Sequence, residues 1–475
     1  MGPVSHKSKR CLVVVAVVLG VATTARRVAA QSAEPAPKVF TVQQAVEFAL
    51  TNYPAVRASL EQYNAARSGV GLAKTSYAPV LNAVAQEERG TRESVLGVLM
   101  PQFPTVMTGT EGTVSPNNGT YWVSGMGFLF SWEPFTFGYR RSLVRSAEVT
   151  ASRTAAQVDL TRLGVSSAVV NASLALLADE QRVKASEADV TRREVFARSV
   201  HALVDARLRP GADGSRADAE LAVARTQLIE AQEREGEDNA SMAEFLGIAG
   251  TPVEIQPGPL LDAPPEQIWP QPPATKNPAA VIAQREIDEV QSRISVLNHS
   301  YFPHFYVEEL TSGRGSNELS TAKSAPGAAA GGLLPSVFNW QAALTAQMNL
   351  SDWFARHEQR SIQLADRRQQ EALYTETVQT ITGKVQEALA TLDGARRVAQ
   401  NTPIELEAAQ QSEAQARARF QAGVATIVDV AEAQRLLVQA EIDDSLARLR
   451  IWRALAQLAA DEGNLSPLLN LAKLP

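Results

Sequence analysis

Two carboxylates near the C-terminal end of the chain, Asp429 and Glu432, are the residues whose type and spacing could do chemistry. On a helix, a separation of three residues places both side chains on one face. Carboxylates crowded on one face attract cations and raise one another's pKa. The same spacing also fits two solvated carboxylates in the first turns of a helix, so the surrounding elements must decide.

The other reactive side chains form no recognisable catalytic or metal-binding pattern. The five histidines, at 6, 201, 299, 304 and 357, include no i,i+4 pair that would ligate zinc from one helix. The sequence contains no nucleophile elbow and no phosphate-binding loop, and Thr382-Gly383-Lys384 is an isolated fragment in a helical segment. We therefore predict no enzyme activity, no cofactor and no metal.

The element that must position the two carboxylates is a turn between two long helical patterns, within Arg419 to Gln434. Gly423 is expected to end the incoming helix in the left-handed conformation, which glycine adopts without steric cost. Thr426 is expected to cap the outgoing helix, with Asp429 completing a weak capping box. This stretch is predicted to be the tip of a long α-hairpin.

The helix that leaves this tip carries a heptad pattern. Val430, Leu437, Ile451 and Leu458 alternate with Ala433, Ala440, Ala447 and Ala454, and Asp444 is the one polar residue in the series. Small residues in one layer allow a neighbouring helix to approach closely. An ordinary coiled coil would show the same pattern.

The first thirty residues have the three parts of a secretory signal. Lys7, Lys9 and Arg10 are its basic part, Cys11 lies in its apolar core, and 28–30 is a small-residue cleavage site. We predict a signal peptide at 1–30; its removal takes five Lys/Arg and lowers the net charge from −6 to −11. An acidic exported chain without cysteine is predicted to form no disulfide and to bind no nucleic acid.

The rest of the chain consists of two versions of one pattern. Asn52-Tyr53-Pro54-Ala55 corresponds to Asn277-Pro278-Ala279, and Ser76-Tyr77-Ala78-Pro79 corresponds to Ser300-Tyr301-Phe302-Pro303. The two prolines stand 25 residues apart in each version, with a helical segment between them. We predict a first repeat at 31–250, an extended Pro-rich linker at 251–276 and a second repeat at 277–475.

Each repeat continues with two strands separated by a long loop, at about 89–119 and 311–338. The clearest strand begins at Trp340, where apolar and polar residues alternate as far as Ser351. Its counterpart runs from Trp122 to Trp132. Strands of this length with aromatic residues at both ends suit a tilted crossing of a bilayer. A buried hairpin in a soluble sheet is the alternative, and no transmembrane helix is predicted after the signal.

Long helices follow the second strand of each repeat, at about 139–207 and 354–420. Helices of some 65–70 residues would span on the order of 100 Å. Pro403 is expected to kink or break the second of them. Each helix reaches a tip and returns, as 216–246 in the first repeat and 426–460 in the second.

This order of elements resembles the TolC-like outer-membrane efflux factors over essentially the whole chain after the signal. The most specific match is Phe420-x-x-Gly423-x-x-Thr426-Ile427-Val428-Asp429-Val430 followed by Glu432-Ala433, and the start from Phe40 to Pro54 is also similar. The resemblance implies an α+β membrane protein. It would be a homotrimer whose four strands per protomer build a 12-stranded transmembrane β-barrel in outer-membrane lipid. Long helices would continue that barrel as a coiled-coil tunnel.

The resemblance also implies a function and partners. The chain would be a passive exit duct in the outer membrane of a Gram-negative-type bacterium, with its helical tunnel in the periplasm. It would serve tripartite efflux or type I secretion. Its partners would be a periplasmic adaptor (membrane fusion protein) and an inner-membrane transporter of the RND, ABC or MFS type.

Three groups of site residues follow. Asp429 and Glu432 correspond to the family's pore-entrance acids, so a trimer would carry six carboxylates at the pore constriction. The adaptor would dock at the tips, on Arg419, Phe420, Gly423, Thr426 and Asp429 of the second repeat and on Gly211, Ser215 and Asp218 of the first. The aromatic residues at the strand ends, Tyr121, Trp122, Trp132 and Trp340, are expected at the membrane interfaces.

Two features depart from the family pattern. The first tip, taken as Gly211 to Asp218, is one residue longer than Gly423 to Asp429 and is preceded by Pro210. A gate-type arginine of the best-known members is Ala425 here, so a closed state must be latched differently or more loosely. The rival interpretation is a soluble periplasmic coiled-coil scaffold or adaptor without a pore. It explains the helices but not the paired, aromatic-bounded strands.

Overall fold

A computed structural model describes residues 39–91, 120–266, 269–316, 333–335 and 337–472. The side chains of 88–91, 120–123, 314, 316 and 337 are outside this description. So are the predicted signal peptide at 1–30 and most of the two predicted loops.

The described residues form long helices and one main sheet. In chain order they are β1 (Val39–Thr41), α1 (Val42–Asn52), α2 (Pro54–Thr75), β2 (Val80–Thr91), β3 (Thr120–Phe135), α3 (Tyr139–Asp205), α4 (Gly211–Phe245), β4 (Glu254–Gln256), α5 (Pro278–His299), β5 (His304–Ser316), β6 (Val337–Gln347), α6 (Asp352–Gln421), α7 (Ile427–Glu462) and α8 (Ser466–Leu471).

The paired prolines begin helices of equal length in the two halves of the chain. The helices α2 and α5 each have 22 residues and begin at the paired prolines, Pro54 and Pro278. Proline suits this first helical position because the missing N–H would have no intrahelical partner there. The side chain of Asn277 adds a cap in the second repeat by accepting a hydrogen bond from the Ala279 N–H.

The four long strands pair antiparallel in the order β2-β3-β5-β6. Directly paired residues share one face of a sheet, so the register assigns most of the large apolar side chains to a single face. This apolar face comprises Leu81, Ala83, Ala85, Met126, Phe128, Phe130, Trp132, Phe305, Val307, Phe338, Trp340, Ala342 and Leu344. The mid-strand residue Glu309 shares this face, opposite Phe130 and Ala342. Among the residues that the structure describes, β2 and β6 are the unpaired edge strands of this sheet.

The helices extend from the sheet and pack side by side in a single layer. Next to the sheet, the neighbours run α2-α3-α5-α6, and towards the tips they run α4-α3-α7-α6. The first helix, α1, packs against α3. One edge of this layer is therefore formed by α2 next to the sheet and by α4 towards the tips, and the other edge is formed by α6 along its whole length.

The predicted heptad pattern is the buried face of α7. Val430, Leu437, Ile451 and Leu458 are buried together with the four alanines of the series. The polar member of the series, Asp444, accepts hydrogen bonds from Thr402 and Arg448 at 3.2 and 3.1 Å. The small residues therefore allow close packing of α7 against α6, as predicted.

The helix α6 has 70 residues and continues through Pro403, so that proline does not break the helix, and a kink there stays a prediction. One strand boundary was wrong. The strand β6 runs from Val337 to Gln347 rather than from Trp340 to Ser351.

Among the described residues, one helix, α3, has a stretch apolar enough to cross a membrane by composition, and 44 % of that stretch is buried within the chain. Composition of this kind is equally typical of a core helix.

The linker between the repeats is folded rather than extended. The strand β4 pairs in parallel with β1, and short 3-10 turns form at Gly258–Leu261 and Ala274–Lys276. The linker is held against α7 because the Trp452 indole N–H donates to the Asp262 carbonyl at 3.0 Å and the Trp269 N–H donates to Glu462 at 2.5 Å. These two hydrogen bonds hold the linker in place, whereas its prolines had suggested an extended chain.

Candidate functional site: the paired helical tips

The second tip has the geometry that the sequence predicts. The N–H groups of Gly423 and Val424 donate to the carbonyls of Phe420 and Arg419 at 3.0 and 2.9 Å. Gly423 has φ +77°, which closes the helix end. Thr426 then caps α7, with Asp429 completing the capping box.

The first tip repeats this geometry 216 residues earlier. Arg207 and Leu208 donate their N–H groups to the carbonyls of Val204 and Leu203, both at 2.9 Å. Arg207 has φ +61°, so it is the counterpart of Gly423. Pro210 is the N-cap of α4 and is therefore the counterpart of Thr426.

This register corrects the predicted equivalence of the tips. Gly211, Ser215 and Asp218 lie inside α4, so they do not correspond to Gly423, Thr426 and Asp429, and the first tip is not longer than the second. The error has a physical cause. Glycine is the usual marker of the left-handed position, but in the first tip a non-glycine residue, Arg207, adopts that conformation. The docking role of the three residues is a prediction that the geometry does not test.

A buried cluster joins the two tips. Its buried members are Phe196, Ala197, Val200 and Ala217 from the first hairpin and Phe420, Ala425, Ile427 and Val430 from the second. The rings of Phe196 and Phe420 lie 5.4 Å apart. Phe420 is only 3 % exposed, so it supports the tip from within and does not present its ring at the surface, whereas Arg419, Gly423 and Thr426 are exposed.

Arg209 is a tip residue that the sequence prediction missed. Its guanidinium donates to the Phe420 carbonyl at 2.8 Å and to the Ala425 carbonyl at 3.5 Å, and it lies 4.3 Å from the centre of the Phe420 ring. A cation here satisfies carbonyls at the end of α6. In the register of the two tips, Arg209 is the counterpart of Ala425. The first tip therefore carries an arginine at the position equivalent to Ala425, where the second tip lacks the family's gate-type arginine.

The two predicted pore acids are both exposed on α7, on the side away from its buried face. Asp429 accepts hydrogen bonds from the backbone N–H and the hydroxyl of Thr426, each at 2.8 Å. These donors, the backbone one first, lower the pKa of the Asp429 carboxyl. Glu432 pairs with Arg435 at 2.5 Å. In the single chain the pKa of Asp429 therefore moves opposite to the direction expected from crowding.

In the first hairpin, Asp218 has a partner on α3. The Nε2 atom of His201 lies 2.8 Å from the Asp218 carboxylate. This hydrogen bond and the charge of Asp218 raise the pKa of His201. Within the described ranges, no group of three or more His, Cys, Asp or Glu side chains is arranged to hold a metal ion.

The predicted aromatic residues lie towards opposite ends of the sheet. Trp132 lies towards the helical end, where its indole N–H donates to the Tyr77 carbonyl at 3.2 Å. Trp340 lies towards the loop end and is largely exposed. Tyr121 and Trp122 belong to β3, but their side chains are outside the described part. The prediction missed further exposed aromatic rings at the helical end, namely Phe135, Phe137, Phe302, Trp353 and Phe354.

The comparisons with known proteins agree with this architecture. The family described as outer membrane efflux protein matches residues 45–247 and 274–464. Protein CyaE of Bordetella pertussis is 25 % identical over 431 residues, which cover 88 % of this chain and 83 % of that protein. Among solved structures, CusC superimposes with a TM-score of 0.73 at 15 % identity, covering 89 % of this chain and 92 % of that one. The outer membrane protein VceC of Vibrio cholerae gives 0.70 at 14 % identity, covering 89 % and 96 %.

Proposed function

Because this chain belongs to the outer membrane efflux protein family and is an outer-membrane channel with a periplasmic helical tunnel, we propose that it works as a homotrimeric exit duct. The duct would be part of a tripartite efflux or type I secretion assembly. It would receive substrate from a periplasmic adaptor and an inner-membrane transporter of the RND, ABC or MFS type. It would conduct that substrate passively to the outside.

The main support for the proposal is that the described part of each protomer has two free edges, both in its sheet and in its layer of helices. The sheet ends at β2 and β6, and a free strand edge needs a partner. Four strands are too few to close a barrel, whereas three protomers would supply twelve. Both edges carry exposed apolar side chains near the sheet, so they could pack against each other between protomers. These residues are Leu72, Val80 and Leu81 at one edge and Leu350, Trp353 and Phe354 at the other.

The apolar face of the sheet supports burial of the strands in lipid. Its large side chains alternate with the polar residues of the opposite face, as expected when one face meets lipid and the other a water-filled lumen. The aromatic residues at the two ends fit the two membrane interfaces. A soluble scaffold would not need an exposed apolar sheet face of this kind.

The tips support the docking of a helical partner. Arg419, Gly423 and Thr426 are exposed at the end of the second hairpin, and Ser215 is exposed near the end of the first. On the sheet side of the tips, a groove of about 510 Å³ lies between α4 and α7, with α3 as its floor. Its lining combines apolar residues such as Val438 and Ile442 with polar ones, which include Arg193, Gln227, Glu230, Arg435 and Gln439. We propose that an adaptor hairpin contacts the tips and this groove. Asp429 and Glu432 would line the narrow end of the pore.

The trimer is tested by mass and by fractionation. We expect the mature chain to require detergent for extraction and to give three times the protomer mass in native mass spectrometry. Circular dichroism of the same sample should show strand as well as helix. A protein that is released without detergent and sediments as a monomer would favour the scaffold interpretation.

Glu309 provides a separate test of lipid contact. Its carboxylate lies on the apolar face, where the Thr311 hydroxyl donates to it at 3.4 Å. A carboxylate costs stability on a lipid-facing strand, although less than Arg or Lys does. We expect Glu309→Gln to stabilise the barrel by roughly 1 kcal/mol in denaturant unfolding from lipid vesicles.

The adjacent Glu308 is the matched control because it points to the opposite face, where the Thr345 hydroxyl donates to it at 3.0 Å. Glu308→Gln should leave stability unchanged or slightly lower. A loss of stability in Glu309→Gln would mean that this face does not meet lipid.

A further inference from the structure

A pocket on one side of the helical layer has no role in the function proposed above. It has a volume of about 1070 Å³ and lies over α7, between α3 and α6. Four arginines and two carboxylates line it, so its net charge is positive. These charged residues are Arg182, Arg397, Glu405, Asp443, Arg450 and Arg453. We call this site the arginine pocket.

Two of the four arginines have no partner of opposite charge. Arg182 and Arg397 each pair with an aspartate of their own helix. Arg450 and Arg453 are exposed, and neither forms a hydrogen bond or an ion pair with the described part of the chain. They are three residues apart on α7, so they share one face of that helix. Two unpaired guanidinium groups side by side attract an anion.

The floor of the arginine pocket is apolar. Ala447, Leu449 and Ala454 are buried at its base, and Val398 is 38 % exposed at its side. A concave apolar surface with a few charged groups is typical of sites for small molecules. Guanidinium groups bind carboxylate and phosphate oxygens through two parallel hydrogen bonds. The lining therefore fits a ligand that has both an apolar part and an anionic group.

The two unpaired arginines stand in register with the two predicted pore acids. Arg450 follows Asp429 by 21 residues, and Arg453 follows Glu432 by the same number. This separation is three heptads, and α7 keeps a heptad pattern along its buried face, so positions at this spacing lie on the same side of the helix. At 1.5 Å per residue, the arginines lie about 31 Å from the acids along α7.

The linker between the repeats covers the other side of the helical layer. The indole N–H of Trp452 on α7 and the guanidinium of Arg396 on α6 donate to linker carbonyls at 3.0 and 2.8 Å. Trp452 is two residues from Arg450, and Arg396 is two residues from Val398. Side chains two residues apart on a helix point in nearly opposite directions. The arginine pocket therefore opens on the side that the linker leaves free.

We propose that the arginine pocket binds organic anions with an apolar part, on the inner wall of the tunnel. This proposal rests on the homotrimeric duct proposed above and on the position of Asp429 and Glu432 in its pore. Three protomers then place six unpaired guanidinium groups around the lumen. The duct has an acidic zone that attracts cations at its narrow end and a basic zone that holds organic anions further up.

Calorimetric titration of the detergent-extracted protein tests the chemistry of the pocket. The probe is naphthalenesulfonate; naphthol has the same rings without the charge, and sulfate has the charge without the rings. We expect naphthalenesulfonate to bind at least about tenfold more tightly than either, because it engages both the arginines and the apolar floor. Equal affinity for naphthol or for sulfate would overturn the proposal, since the pocket would then not recognise both parts of the ligand.

The arginines are tested by substitution. Arg450→Gln/Arg453→Gln should weaken the binding of naphthalenesulfonate at least about tenfold and leave that of naphthol unchanged. Arg450→Lys/Arg453→Lys keeps the charge without the planar fork, and its affinity should be intermediate. Arg57→Gln/Arg67→Gln is the charge-matched control, because it removes two exposed arginines of α2. Unchanged sulfonate binding in the first variant, or an equal loss in the control, would contradict the proposal.

Single-channel recording in planar bilayers tests the position of the pocket. Naphthalenesulfonate should reduce the current of the unmodified channel at concentrations that saturate the calorimetric binding, and it should not affect Arg450→Gln/Arg453→Gln. Binding without any effect on the current would place the pocket outside the lumen and overturn the proposal. An unmodified protein that forms no conducting trimer would instead overturn the duct, whereas the titrations would still measure the pocket.

Discussion

Gly423→Leu is expected to abolish export while the trimer and its sheet persist. Gly423 has φ +77°, and a side chain built there meets no atom within 4 Å. The strain of a left-handed leucine costs roughly 1–2 kcal/mol, which is small for a chain of this size. Arg207 already adopts the same conformation in the first tip. The new side chain would therefore project from the tip into the space that a docking partner needs.

The measurement pairs an export assay with the amount of trimer in isolated outer membranes. Gly423→Ala is the graded control, because it carries most of the backbone strain but little bulk, and it should retain most of the export. Arg207→Gly is the control at the equivalent position of the first tip and should relieve strain without harming assembly. If Gly423→Leu fails to assemble, the residue is structural and the docking proposal loses its support.

The parts of this site that could be predicted from the sequence are those with local signals. Thr426 and Asp429 stand at the spacing of a capping box, and the heptad pattern of α7 is set by the sequence positions of four alanines. The paired prolines at 54 and 278 mark two equivalent helix starts. The capping box, the heptad pattern and each of the two helix starts depend on residues that lie close together in the sequence. The local sequence is therefore sufficient to predict them.

The missed parts depend on contacts between distant segments. Arg209 acts on carbonyls more than 200 residues away, and no local pattern indicates that an arginine after a left-handed residue will do so. Phe420 looked like a surface docking residue, but the first hairpin covers it. The first tip was placed four residues too late because Arg207 occupies a conformation that sequence patterns assign to glycine. The linker was misread because the indoles that hold it, Trp452 and Trp269, bind across long sequence separations.

For the two predicted pore acids, local geometry changes the design of the experiment. Asp429 holds the cap of α7, so an alanine there would remove a charge and also weaken the helix start. Asparagine keeps an oxygen that can accept from the Thr426 N–H. The cleaner variant is therefore Asp429→Asn/Glu432→Gln, which removes two negative charges per protomer and retains the fold of the tip.

This double variant is expected to lose the cation preference of the reconstituted trimer, with the potassium-to-chloride permeability ratio falling severalfold towards unity. Block by multivalent cations should be lost with it, since six carboxylates around one axis would provide the binding site. Because Glu432 already pairs with Arg435, Asp429→Asn alone should account for most of the change. Glu233→Gln/Glu237→Gln removes two exposed carboxylates well above the tip and should change neither property.

The pH dependence follows from the lowered pKa of Asp429. A carboxyl whose pKa is lowered in the folded state stays ionised to a lower pH than an ordinary carboxyl does, and its charge and its capping bond are lost only as the pH falls through that lowered pKa. Cation preference should therefore be constant from about pH 8 to about pH 5. If crowding in the trimer dominated instead, the preference would weaken within that window. Unchanged selectivity and block in the double variant would show that these carboxylates do not line the pore.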